Sequence, residues 1–88
     1  MPYDTDDFDL DVIQKSYIIP VLVDFWAEWC GPCKALGPVL EDLARHNSSD
    51  WLLVKLNTER HSAVAVQYGI KSIPNVKLFI DGQVSDGF

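Results

Sequence analysis

Apolar positions along this chain alternate between two periods. Residues 21–26, Val-Leu-Val-Asp-Phe-Trp, form an almost unbroken apolar run rich in β-branched and aromatic side chains. That is the pattern of a strand buried on both faces, opened by Pro20 where a missing N–H is tolerated. Residues 33–46 then place Leu36, Val39, Leu40, Leu43 and Ala44 at helical spacing, so a strand runs straight into a helix. Pro38 falls inside this helix and predicts a kink. Residues 51–56 repeat the strand pattern. A further helix over about residues 59–68 takes Asn57 or Thr58 as its cap and closes at Gly69 in the left-handed region.

Over residues 76–80, Val76, Leu78 and Ile80 alternate with Lys77 and Phe79. Asp81-Gly82 is a two-residue hairpin turn that returns residues 83–86 antiparallel. At the amino end, residues 1–16 predict an irregular start and a short helix, capped by Thr5 or Asp6, with Phe8, Val12 and Ile13 as its apolar stripe. Strands alternating with helices predict an α/β domain, its parallel strands joined by a right-handed crossover.

The two cysteines fall at the junction of the first strand and its helix, as Trp29-Cys30-Gly31-Pro32-Cys33-Lys34. Residues three apart at a helix start share one face. The unpaired N–H groups and dipole of that helix end favour an anion, so a thiolate is stabilised there. The thiolate is the nucleophile of disulfide exchange. Cys30 is the outer sulfur and Cys33 lies further into the helix, so Cys30 attacks and Cys33 resolves. Pro32 suits the first helical turn, and Gly31 leaves room for another backbone to approach.

Asp24 is the odd residue of the central strand, sharing a face with Leu22 and Trp26. Read alone, it is either an acid near a strand end reaching solvent or a buried carboxyl that is paired or protonated. Lys55, in the next strand, reads alone as an exposed strand lysine.

The run Phe25-Trp26-Ala27-Glu28-Trp29-Cys30-Gly31-Pro32-Cys33-Lys34 resembles the active-site segment of the thioredoxin family nearly letter for letter. The resemblance spans residues 8–88. It implies a thioredoxin fold, a central mixed sheet flanked by helices, and the activity of a protein-disulfide reductase with a redox-active Cys30–Cys33 disulfide. No bound cofactor is implied; an NADPH-dependent reductase, thioredoxin reductase, recharges the disulfide, and the substrates are protein disulfides. Asp24 falls on the family's buried acid beneath the second cysteine, where desolvation lets it move the proton of Cys33 through water. Lys55 matches the lysine neighbouring that acid. Ile73-Pro74 matches a cis proline pair set against the cysteines, which with Trp29 shapes the substrate surface.

The chain also departs from the family pattern. Gly37 stands where a larger residue commonly precedes the helix proline, and Asn75 where threonine follows the cis proline. The usual first strand is expected to be missing or vestigial, and the glycine and final helix expected after Phe88 are not in the sequence. A single domain over residues 1–88, incomplete at its carboxyl end, follows. The uncovered face of the last hairpin would then invite self-association.

Composition narrows the partners. Eighty-eight residues with 48% hydrophobic and 11% aromatic content are enough for one small core. A net charge of −6, much of it from Asp4, Asp6, Asp7, Asp9 and Asp11, argues against nucleic acid and anionic membranes and reads as a solvated acidic segment. No signal-like or membrane-spanning run is present, so a cytoplasmic location is expected. His46 and His61, read as exposed helix residues, lack zinc-site spacing. The competing function is a redox-active client-binding domain of a larger holdase or adaptor.

Overall fold

The computed structural model describes residues 3–88. Part of the irregular start expected at residues 1–3 therefore lies outside the described residues. Four strands form one mixed sheet: β1 (Val21–Trp26), β2 (Leu52–Asn57), β3 (Asn75–Ile80) and β4 (Gln83–Gly87), in the order β2-β1-β3-β4. β1 pairs parallel with β2 and antiparallel with β3, and β3 pairs antiparallel with β4. Helix α1 (Gly31–His46) makes the β1–β2 crossover, and α2 (Ser62–Gln67) lies between β2 and β3.

Strand alternation divides the core in two. Val21, Val23 and Phe25 of β1 join Val54 and Leu56 of β2 and Phe79 of β3 on one face. The amino-terminal segment closes that face with Phe8, Val12 and Ile13, the stripe expected from sequence, and α2 adds Val64, with Tyr68 just beyond it. The other face carries Leu22 and Leu53, which pack with Leu36, Leu40 and Ala44 of α1. β1 is thus sandwiched, which explains its continuous apolar run.

Several expectations change in detail. The amino-terminal segment is a π-helical turn, Asp9–Gln14, passing into a 3-10 turn, Lys15–Tyr17. The cap is neither Thr5 nor Asp6 but Asp7, whose Oδ1 accepts from the Leu10 N–H at 3.1 Å, while Thr5 Oγ1 accepts from the Asp7 N–H at 3.0 Å in the turn before it. Asp6 instead meets the Arg60 guanidinium at 3.0 Å on the surface. The first strand survives as one parallel bridge, with Thr5 N–H donating to Lys55 O at 2.9 Å and Lys55 N–H to Tyr3 O at 2.7 Å. Asn57 Oδ1 accepts from the N–H groups of Glu59 and Arg60, ordering a turn that delays α2 to Ser62.

In β3 the alternation expectation needs correction. Phe79, placed on the polar side, is fully buried, because Phe8 and Tyr68 pack edge-on or tilted around it at centroid distances of 5.2–5.7 Å. Ile80, placed on the apolar side, is exposed. The alternation is correct, but the more thoroughly covered face is Phe79's. Every residue of β4 is exposed.

Two glycines carry the turns. Gly69, at φ +64°, ends α2, with the Ile70 N–H returning to Ala65 O at 2.9 Å. Asp81 and Gly82, at φ 51° and 78°, form the hairpin turn, which Ser16 anchors by accepting from the Gly82 N–H on its Oγ at 2.7 Å.

The two glycines allow backbone strain to be separated from collision. A Cβ at Gly69 meets nothing within 4 Å, whereas one at Gly82 lies 2.5 Å from Tyr17 Oη. Gly69→Ala is expected to cost about 1 kcal/mol in urea denaturation from left-handed strain alone. Gly82→Ala should cost more, on the order of 2 kcal/mol, because Tyr17 must also move. Equal losses would show that the Tyr17 contact contributes nothing.

Candidate active site

The end of β1 delivers the chain to the start of α1, and Cys30 is the residue that caps the helix. Its backbone is extended (φ −85°, ψ 103°), and its Sγ accepts from the Cys33 N–H at 3.2 Å. A sulfur here does the work an oxygen side chain usually does at an N-cap. Gly31 and Pro32 form the first helical turn, where the missing Pro32 N–H leaves no partner unsatisfied. Cys30 and Cys33 are joined as a disulfide, with Cα atoms 5.3 Å apart. In this oxidised form both cysteines are 3% exposed, so burial does not rank one sulfur as the outer one. What separates them is surroundings.

Cys33 lines a hollow of about 260 Å³ shared with Gly37 and Glu41 of α1, Lys55 of β2, Trp26 and Asp4. Trp29, 69% exposed, lines a different hollow of about 150 Å³ with Thr58, Ile70, Lys71, Ser72 and Ile73. The Ile73–Pro74 peptide bond is cis, as the resemblance implies. The structure thus brings Trp29 and Ile73 together, and separately Cys33 and Lys55. Gly31 faces open space, with nothing within 4 Å of where a Cβ would stand.

Asp24 resolves in favour of burial. It is 0% exposed, and neither carboxyl oxygen has a hydrogen-bond partner among the described residues. Loss of hydration raises its pKa from 3.8 to about 6, with Lys55 pulling it down and Asp4 and Glu41 pushing it up. Lys55, the register partner of Asp24 across β1 and β2, is not the exposed lysine its position alone suggests. Its side chain is 12% exposed, with Nζ 3.1 Å from Glu41 Oε2 and 5.2 Å from the centre of the Trp26 ring.

Asp4 is also reassigned. It does not belong to a solvated acidic run, because its Oδ1 accepts from the Trp26 indole N–H at 2.9 Å. Sequence reasoning missed Asp4, Gly37, Glu41 and Trp26 as members of this cluster. Gly37 and Glu41, four apart on α1, were the available signal, since such residues share a helix face. His61 is half-buried at the start of α2 rather than exposed, while His46 is exposed as expected. No group of three or more metal-ligating side chains occurs among the described residues.

Comparison with known proteins agrees with this geometry. A family model described as Thioredoxin matches residues 1–88. Thioredoxin 1 of Synechococcus elongatus is 49% identical over 79 residues, covering 90% of this chain and 72% of the relative. Thioredoxin of Pyropia yezoensis is 43% identical over 79 residues, again 90% of this chain and 72% of the relative. Probable thioredoxin-2 of Caenorhabditis elegans is 46% identical over 83 residues, 94% of this chain but 56% of the relative. The chain therefore spans between 56% and 72% of the length of these relatives. The holdase or adaptor alternative gains no support, since the relatives are thioredoxins.

Asp24 sets a pH dependence of stability whose sign is fixed by the raised pKa. The folded chain holds the proton more tightly than the unfolded chain, so stability is full below about pH 4 and falls as pH rises to about 6. A shift from 3.8 to about 6 corresponds to about 3 kcal/mol. Asp24→Asn should remove that slope, gaining about 3 kcal/mol on the parent between pH 4 and pH 7 in urea denaturation of the oxidised proteins. Parallel curves for the two proteins would show that Asp24 does not titrate in this range.

Proposed function

The chain belongs to the thioredoxin family and is a thiol–disulfide oxidoreductase, and on that basis we propose that Cys30 attacks a substrate disulfide and Cys33 resolves it. The observation that carries this order is the Cys33 N–H held 3.2 Å from Cys30 Sγ at the helix start. A backbone donor and the positive end of α1 both stabilise charge on that sulfur in the reduced protein. Cys33 Sγ, one turn further on, has no such donor from this helix end.

The electron count follows from two exchanges. The Cys30 thiolate attacks one sulfur of the substrate disulfide, forming a mixed disulfide and expelling the other substrate sulfur as a thiolate. Cys33 then loses its proton and attacks Cys30 Sγ, releasing the second substrate thiol. The Cys30–Cys33 disulfide present in this structure is the product of that step, and two electrons have passed to the substrate. Asp24, buried and held near pH 6, suits a group that takes the Cys33 proton through water of the neighbouring hollow. Lys55 adjusts how readily it does so.

Substrate docking is assigned to Trp29, Gly31, Pro32, Ile73 and Pro74. Their support is the exposed Trp29 ring, the open space over Gly31, and the hollow shared by Trp29 and Ile73. An extended segment of a protein disulfide fits such a surface better than a small thiol does, because backbone pairing adds to sulfur exchange. The reductant is a thioredoxin reductase using NADPH, and the setting a reducing cytoplasm, where an exchangeable disulfide is catalytic rather than structural. Among the described residues, no helix is long and apolar enough to cross a membrane.

Insulin-disulfide reduction with dithiothreitol tests the assignment. Cys30→Ser should reduce the rate to that of dithiothreitol alone, while reduced Cys33→Ser, freed of dithiothreitol before it meets the substrate disulfide, should accumulate a covalent mixed disulfide visible by non-reducing electrophoresis. Reduced Cys30 should also be alkylated faster than free cysteine at pH 7. A Cys30→Ser protein as fast as the parent would remove Cys30 from the reaction.

A further inference from the structure

Lys55 and Asp24 are register partners on adjacent strands, so a direct ion pair between them is the simplest arrangement. The structure does not adopt it. Both Asp24 oxygens lack a partner among the described residues, and the Lys55 ammonium lies 3.1 Å from Glu41 Oε2 on helix α1. What lets the ammonium reach that far is Gly37, one turn before Glu41. A Cβ on Gly37 would stand 3.0 Å from Lys55 Nζ and 3.7 Å from Glu41 Oε2. The side-chain-free position and the carboxylate four residues on form a slot along one face of α1. The Trp26 ring, 5.2 Å from Nζ, packs against the same ammonium.

The geometry points to Gly37 and Glu41 as positioning residues that hold the Lys55 ammonium out of direct contact with Asp24 and so leave the buried carboxyl without an ion-pair partner. The inference rests on the reading of Asp24 as the acceptor of the Cys33 proton. A carboxylate paired with an ammonium is a poor base near neutral pH, and one left bare in an apolar site is a better one. The groups bearing charge on Asp24 come from three elements: Lys55 from β2, Glu41 from α1 and Asp4 from the amino-terminal segment. β3 contributes the uncharged Val76 opposite Asp24. Asp4 gives one oxygen to the Trp26 indole, and Glu41 is the acid whose carboxylate meets the Lys55 ammonium.

The test is the titration of the Asp24 carboxyl carbon by NMR in the oxidised protein, where neither cysteine titrates, with Asp24→Asn identifying the signal. Glu41→Gln keeps the shape and removes the charge. It should lower the Asp24 midpoint by on the order of one pH unit, as Lys55 turns back to its strand partner. Gly37→Ala, whose methyl fills the slot, should move the midpoint in the same direction. Loss of Glu41 also removes a direct repulsion, so Glu41→Gln is repeated in a Lys55→Met background. There the shift should shrink to less than half. An unmoved midpoint in Glu41→Gln, or an equal shift in both backgrounds, overturns the inference. An unmoved midpoint in Gly37→Ala removes the slot. None of these readouts uses turnover, so failure of the exchange assignment in the insulin assay is separately visible.

Discussion

The structure depends on where one hydrogen-bond donor points. The N–H of Cys33 has no carbonyl four residues back within the helix, and it is satisfied by Cys30 Sγ at 3.2 Å. For that contact to exist, β1 must end, the chain must turn within a few residues, and α1 must begin at Gly31. The turn is closed by the Cys30 N–H donating to Ala27 O at 3.1 Å. β1 can serve as the fixed end because it is packed on both faces, by α1 on one and by the amino-terminal segment and α2 on the other. The rigid strand thus positions the cap, and the cap positions the sulfur.

Much of this was legible in the sequence because it is local. The apolar run of β1 and the helical spacing of α1 are separated by only a few residues, so the junction and its two cysteines could be located directly. Gly69 and Asp81-Gly82 signalled their left-handed backbones for the same reason: the requirement is met by a residue or two. The resemblance supplied what spacing could not, the neighbourhood of Asp24 and Lys55 across β1 and β2 and the cis bond before Pro74.

What escaped the sequence is what depends on distant segments meeting. Phe79 looked peripheral beside Lys77, yet its burial is decided by Phe8, far away in the chain, and by Tyr68 just after α2. Asp4 sat among four other aspartates and looked solvated; only the fold brings the Trp26 indole to it. Nothing in the sequence pairs Glu41 with Lys55; the two meet only because the crossover lays α1 over β2. In each case the pattern was correct about the element and silent about its neighbour.

The same arrangement explains why an ionisable group is kept at the centre of the sheet at all. A folded chain of this size has only roughly 5–15 kcal/mol of stability in hand, and the unpaired Asp24 carboxylate uses about 3 of it near neutrality. Pairing it fully with Lys55 would recover much of that cost but leave a weak base. Removing Lys55 altogether would push the carboxyl higher still. On the proposed reading of Asp24 as the acceptor of the Cys33 proton, a lysine that is near but paired with Glu41 keeps the acid between those limits.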